Sequence, residues 1–113
     1  MTFWDWGIPT AASIVEVAGS TRVKLIASGG VRNGLHVAKA IALGAHYGGL
    51  AMPLLKSVSR GDNEAKENLL SVIEELRTTM FLTGHRTLGQ LRKCPVVITG
   101  KTREWLAARR LLT

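Results

Sequence analysis

The sequence predicts an α/β fold in which short parallel strands alternate with helices, in a chain too small to close a barrel. Three observations lead there. Two short runs, Val23–Ser28 and Tyr47–Ala51, each meet a glycine pair and lead into helix-forming sequence. Helix-competent and extended stretches alternate along the chain, as they do in βα units with buried parallel strands. The length of 113 residues is well short of the ~250 that a full (β/α)8 barrel takes. Residues 1–113 therefore read as a single partial domain, a piece of such a barrel.

Each element has a local reason. Pro9 to Ala18 is helix-competent, with Ile8 and Pro9 setting its start and Gly19-Ser20 its stop. Val23 to Ser28 is apolar and β-branched, a buried strand that ends at Gly29-Gly30. Asn33 caps a helix from Gly34 through Leu43, on which Leu35, Ala38, Ile41 and Ala42 share a face, and Gly44 ends it. Tyr47 to Ala51 is a second strand, weakened by its glycines.

Pro53 to Val58 forms a short helix, and Ser59 to Asp62 a turn. The longest helix runs from Asn63 to Thr83. Its apolar residues Leu69, Ile73, Leu76 and Met80 stand at i, i+4, i+7 and i+11, and Gly84 stops it. Leu88 to Leu91 makes a helical turn and Val96 to Thr99 is extended. Thr102 caps a last helix through Trp105, Leu106 and Arg109.

Composition narrows the function class. With 46% hydrophobic and 20% charged residues, the chain is globular rather than disordered. Aromatics are only 5%, so the core is aliphatic. A single cysteine excludes an internal disulfide framework and suits a reducing compartment. No apolar run approaches the ~18 residues of a membrane span, and Thr2-Phe3-Trp4-Asp5-Trp6 has no signal-peptide character. A cytoplasmic protein with no membrane partner is expected.

The net charge is +7, and the surplus crowds the last quarter in Arg86, Arg92, Lys93, Lys101, Arg103, Arg109 and Arg110. No aromatics interleave with these cations, and no zinc-finger or RNA-binding signature is present, which disfavours nucleic acid. A solvated face, a surface for an acidic partner and the wall of a phosphate pocket remain open.

The glycine turns carry the chemistry. Ser28-Gly29-Gly30-Val31-Arg32-Asn33-Gly34 and Gly48-Gly49-Leu50-Ala51 each follow a strand and precede a helix. Glycine lets backbone N–H groups approach a ligand, and a helix start beyond adds its positive end. Arg32 is placed for a bidentate phosphate contact. Either turn alone could be only a tight connection. Two adjacent βα units with the same device favour a phosphate ligand, which in barrels commonly sits at the loops after the last two strands.

Other motifs fail on counting. A P-loop ending at Gly100-Lys101-Thr102 would need glycine at position 95, which is Pro95. His36, His46 and His85 lack metal-ligand spacing, and His36 and His46 are expected on the surface. Cys94 is expected to be an unreactive thiol, with no base visible beside it. Glu74-Glu75 lies off the apolar face and is expected to be solvated, while Trp4 and Trp6, flanking Asp5, are expected to pack.

Two long stretches carry a resemblance. Phe3 to Ala11 (FWDWGIPTA) and Ile26 to Ala45 (IASGGVRNGLHVAKAIALGA) closely resemble the C-terminal part of the type 2 isopentenyl-diphosphate isomerase family. Glu75-Leu76-Arg77, Met80 to Gly84 and Val97 to Leu106 look like the same family's tail, so nearly the whole chain is covered. The Gly-Gly-x-Arg core also recurs in other FMN-binding barrels.

The resemblance implies the last two βα units of a (β/α)8 barrel plus its C-terminal helices. It implies interconversion of isopentenyl and dimethylallyl diphosphate with reduced FMN, Mg²⁺ and NADPH, in a homo-oligomer. Gly29, Gly30, Val31 and Arg32 would form one jaw of an FMN phosphate clamp, and Gly49, Leu50 and Ala51 the other. The family's diphosphate-gripping basic residues, its metal-binding carboxylate with a neighbouring amide, and its lysine near the flavin ring have no counterparts here. No catalytic or metal residue is therefore assigned to this chain. Alone it is expected to be inactive, because proton-transfer groups must converge on the reacting carbon.

Completion would come from the missing N-terminal barrel part or from self-association through open strand edges. Two alternatives differ in class. One is a segment of another FMN-dependent barrel oxidoreductase, such as a 2-hydroxy-acid oxidase relative, although no His-x-x-Arg grouping precedes the Gly-Gly turn. The other is a basic non-enzymatic binding module, whose binding would fall steeply with salt.

Overall fold

The computed structural model describes residues 2–112. Two strands, β1 (Ile26–Ala27) and β2 (Tyr47–Gly48), pair in parallel with Ile26 opposite Tyr47 and Ala27 opposite Gly48. The Leu25 carbonyl accepts from the His46 and Tyr47 N–H groups at 2.8 and 3.2 Å, and the Ala27 carbonyl from Gly49 N–H at 2.7 Å. Helix α1 (Thr10–Ser20) precedes β1, and α2 (Gly34–Ala42) connects the strands. Beyond β2 come α3 (Met52–Val58), α4 (Asp62–Thr83), α5 (Leu88–Arg92) and α6 (Gly100–Ala108). The βαβα order is present, most of the chain is helical, and the sheet is open.

The strands are shorter than the sequence predicts. Each has only one partner, and just beyond Ala27 the backbone turns away through Gly29 and Gly30, at φ +92° and +75°. Val96–Thr99 pairs with no strand among the described residues, and Val97 is 91% exposed. One apolar pair of the sheet, Ile26 and Tyr47, is exposed, while Ala27 is buried.

Helix ends follow local chemistry. Asn33 Oδ1 accepts from His36 N–H at 2.8 Å and caps α2, and Thr87 Oγ1 does the same for α5 through Gln90 N–H at 3.1 Å. Gly84 takes a left-handed conformation, φ +77°, and stops α4. Two expectations are corrected. Helix α1 continues through Gly19 to Ser20, whose hydroxyl donates to the Glu16 carbonyl at 2.7 Å. Helix α6 starts at Gly100 after Thr99, which leaves Thr102 inside the helix rather than at its cap.

The core is aliphatic, as composition requires. Val31, Val37, Ala38, Ile41, Val72 and Leu91 form its main cluster, with Leu50, Leu76, Met80 and Cys94 packed against it. A smaller cluster joins Ile14, Ala27, Ala40 and Ala45 beneath the sheet. On α4 the buried stripe is rotated from the expected one. Val72 is buried and Leu76 and Met80 half-buried, whereas Leu69 and Ile73 stay exposed. The close seat of α4 on α2 at Gly34 sets that rotation. The aromatic N-terminal segment does not pack into the core. Phe3 and Trp6 meet edge to face with ring centroids 5.9 Å apart, and Trp4 and Trp6 are mostly exposed.

Candidate phosphate-binding cleft

Both glycine turns open onto one cleft. Parallel pairing puts the C-terminal ends of β1 and β2 side by side, so the residues after each strand become neighbours. A Cβ on Gly49 would lie 3.4 Å from Ser28 Cβ and 3.5 Å from the Ala27 carbonyl oxygen, so the second turn runs close beside the first. The cleft has a volume of about 780 Å³. Its walls are Ser28 to Arg32 from the first turn, Gly49 and Ala51 from the second, Met52, Pro53, Lys56 and Ser57 from α3, and Arg60 from the turn after α3, with Asn68 of α4 at its side.

Six of the seven residues singled out in the sequence line this cleft: Gly29, Gly30, Val31, Arg32, Gly49 and Ala51. Leu50 does not, because its side chain packs against the core. Val31 is buried in the core as well, so it meets the cleft through its backbone. Among the described residues the N–H groups of Gly29, Gly30, Val31, Leu50 and Ala51 make no hydrogen bond within the chain. Gly49 N–H is already spent on the Ala27 carbonyl, and Arg32 N–H on His36 Nδ1 at 3.2 Å.

Thr10 pins the first turn from outside. Its hydroxyl donates to the Gly29 carbonyl at 2.8 Å, and a Cβ on Gly29 would come within 3.3 Å of that hydroxyl. At φ +92° a side chain at Gly29 would be strained in any case. No motif marks Thr10 in sequence, since the contact joins positions nineteen residues apart.

The cleft is cationic. Arg32 and Lys56 have no ion-pair partner among the described residues, Arg60 pairs with Glu64 at 3.1 Å, and no carboxylate lines the walls. Lys56 and Arg60 carry no motif in sequence beyond two basic residues four apart, one on the short helix that follows the second glycine turn and one in the turn just after it. Free backbone donors at a turn of two glycines with positive φ, beside unpaired guanidinium and ammonium groups, suit a phosphate.

Two of the first donors of α2 are taken, Gly34 N–H by Glu75 Oε1 at 3.4 Å and His36 N–H by Asn33 Oδ1 at 2.8 Å, while Leu35 N–H has no partner among the described residues. Glu75 is exposed, as expected, and its carboxylate also accepts from Gly34 N–H at 3.4 Å, while Glu74 pairs with Arg77 at 2.9 Å on the surface. His36 and His46 are half-buried acceptors, not free surface groups. His46 Nδ1 accepts from Leu25 N–H at 3.1 Å, and burial, then the positive charges of Arg92 and Lys24, hold its pKa below the ordinary value. No cluster of three or more His, Cys, Asp or Glu residues suited to a metal occurs among the described residues.

A sequence profile described as FMN-dependent dehydrogenase matches residues 7–97, a span that includes both turns. The chain belongs to the FMN-dependent dehydrogenase family. The chain is also similar to proteins named isopentenyl-diphosphate delta-isomerase. The protein from Sulfurisphaera tokodaii is 55% identical over 95% of this chain and 29% of its own length. That from Thermococcus onnurineus is 52% identical over 96% of this chain and 29% of its own length. That from Methanothermobacter thermautotrophicus is 52% identical over 95% and 31% respectively. The chain thus spans about 30% of the length of these relatives. No described helix is long and apolar enough to cross a membrane.

Proposed function

We propose that this chain is the C-terminal section of a (β/α)8 barrel, its last two βα units and C-terminal helices, and that its cleft holds the phosphate of FMN. The observation that carries the reading is the convergence of the two glycine turns on one cleft with unpaired Arg32 and Lys56. FMN ends in a phosphate monoester, and the family's description supplies the flavin.

In this reading Gly29, Gly30 and Val31 offer backbone N–H groups, and Arg32 offers its guanidinium. Gly49 admits the phosphate by lacking a side chain, and Leu50 and Ala51 offer N–H groups. When bound, FMN supplies the reactive ring; these residues fix the far end of the cofactor and so set where the ring lies. Leu50 acts through its backbone alone.

The reaction proposed for the whole protein is interconversion of isopentenyl and dimethylallyl diphosphate with reduced FMN. High identity to proteins of that name supports it. Mg²⁺, NADPH, a homo-oligomeric assembly and a cytoplasmic location belong to the same proposal. The Mg²⁺ ligands and proton-transfer groups would lie outside this chain. The exposed Ile26 and Tyr47 on the open sheet support completion by the rest of the barrel or by a second copy.

The test is titration of FMN into the protein and into Arg32→Ala. Saturable FMN binding weakened in the variant supports the reading, and equal affinity removes Arg32 from the site. Assay of the full-length polypeptide decides the reaction: isomerised diphosphate without net redox change is expected, whereas a hydroxy acid oxidised in its place would indicate an oxidase relative.

A further inference from the structure

One polar cluster in the cleft has no place in the clamp described above. Ser57, on α3, is buried to 6% exposure. Its hydroxyl donates to the Pro53 carbonyl at 3.1 Å and accepts from Asn68 Nδ2 at 2.6 Å. The same Asn68 nitrogen donates to the Pro53 carbonyl at 3.2 Å. A carbonyl can only accept, so the amide orientation is fixed: Nδ2 faces α3 and gives one hydrogen to each acceptor.

We infer that the Asn68–Ser57–Pro53 triangle is a clasp that positions the second phosphate turn, with Asn68 a positioning residue for the phosphate. Pro53 stands two residues beyond Ala51, at the start of α3. Its ring fixes φ, so the direction of α3 and that of the Leu50-Ala51 backbone are linked through few soft torsions. The first turn is held on its far side by Thr10. The second has the Gly49–Ala27 ladder bond on one side, the Leu50 side chain seated on the core, and α3 on the other side. Asn68 comes from α4, whose own position is set independently by its close seat on α2 at Gly34. The clasp therefore ties α3, and with it the second turn, to α4.

Geometry also argues against a packing role alone. An apolar residue at position 68 would continue the Val72, Leu76, Met80 stripe by one turn, and would leave the buried Ser57 hydroxyl without its amide partner. The cluster lies within the cleft wall, and it leaves Asn68 Oδ1 with no partner among the described residues.

This inference rests on the phosphate reading, and the experiment separates the two. FMN is titrated into the wild-type protein, Asn68→Ala, Ser57→Ala, the double variant and Leu76→Ala, with thermal unfolding recorded on each. Leu76→Ala loosens the α2–α4 contact without touching the clasp. Expected is a roughly fivefold rise in the FMN Kd for Asn68→Ala, no further rise in the double variant beyond the larger single effect, and a smaller rise for Leu76→Ala at equal or greater loss of Tm. A Kd for Asn68→Ala equal to wild type overturns the clasp, as does a rise that Leu76→Ala matches at equal loss of Tm. Absence of FMN binding by the wild type overturns the phosphate reading itself and takes the clasp with it.

Discussion

Gly34, at the first position of α2, lies against the backbone of Val72 on α4 at a separation that leaves no room for a Cβ. The Val72 carbonyl, the Leu76 nitrogen and Glu75 Cβ would all fall within 3.0 Å of one. The contact sets the rotation of α4, buries Val72, and brings Asn68 one turn earlier to the side of the cleft.

Gly34→Ala is therefore expected to destabilise the fold by about 2 kcal/mol, as overpacking against backbone does. Helix propensity alone would act the other way by up to about 1 kcal/mol. Urea unfolding of the two proteins decides between them. A higher midpoint in the variant would mean that the helices stand further apart.

Arg32→Ala should weaken FMN by about tenfold, the effect of one charge-assisted contact. Its side chain has no ion pair to lose among the described residues, and its N–H bond to His36 Nδ1 survives the substitution. Unfolding midpoints of the two proteins should agree. A stability loss as large as the binding loss would make Arg32 a structural residue instead.

His46 predicts a pH dependence of stability. Burial and the charges of Arg92 and Lys24 hold its folded-state pKa below 6.5. The unfolded chain then takes up a proton more readily than the folded one. The stabilising contribution is fully present above about pH 6.5 and is lost as pH falls through the folded-state pKa. Protonation also abolishes the acceptor for Leu25 N–H. Thermal unfolding between pH 8 and 5 should show an acid decline that His46→Gln reduces. An unchanged decline in that variant would assign the effect elsewhere.

The βαβα order, the Asn33 cap, the Gly84 stop and the two glycine turns were legible in the sequence, because each rests on chemistry within a few residues. What was not legible depends on contacts far along the chain. Thr10 reaches Gly29, Glu75 reaches Gly34, and Asn68 reaches Ser57, none of them marked by local spacing. Strand length was overread, since propensity at Val23 and Leu50 counts for little where no further strand supplies hydrogen bonds. The expected face of α4 failed for a related reason: Ile73 and Leu69 fit helical periodicity as well as Val72 does, and only the Gly34 seat selects among them.

The Glu16–Arg109 pair, at 2.7 Å, links α1 to the end of α6. Arg109 is well exposed, so its removal should cost only about 0.5 kcal/mol, an effect that added salt suppresses. Thermal unfolding of Arg109→Gln at low and high salt checks it. A large, salt-independent loss would mean that the arginine stem, rather than its charge, holds the C-terminal helix.

The most direct measurement is calorimetric titration of FMN into the protein with and without inorganic phosphate. Saturable binding of one FMN per chain, weakened competitively by phosphate, is the result expected of a cleft in which both seek the space between Arg32 and Lys56. FMN binding that is indifferent to phosphate, or none at all, would contradict the phosphate reading.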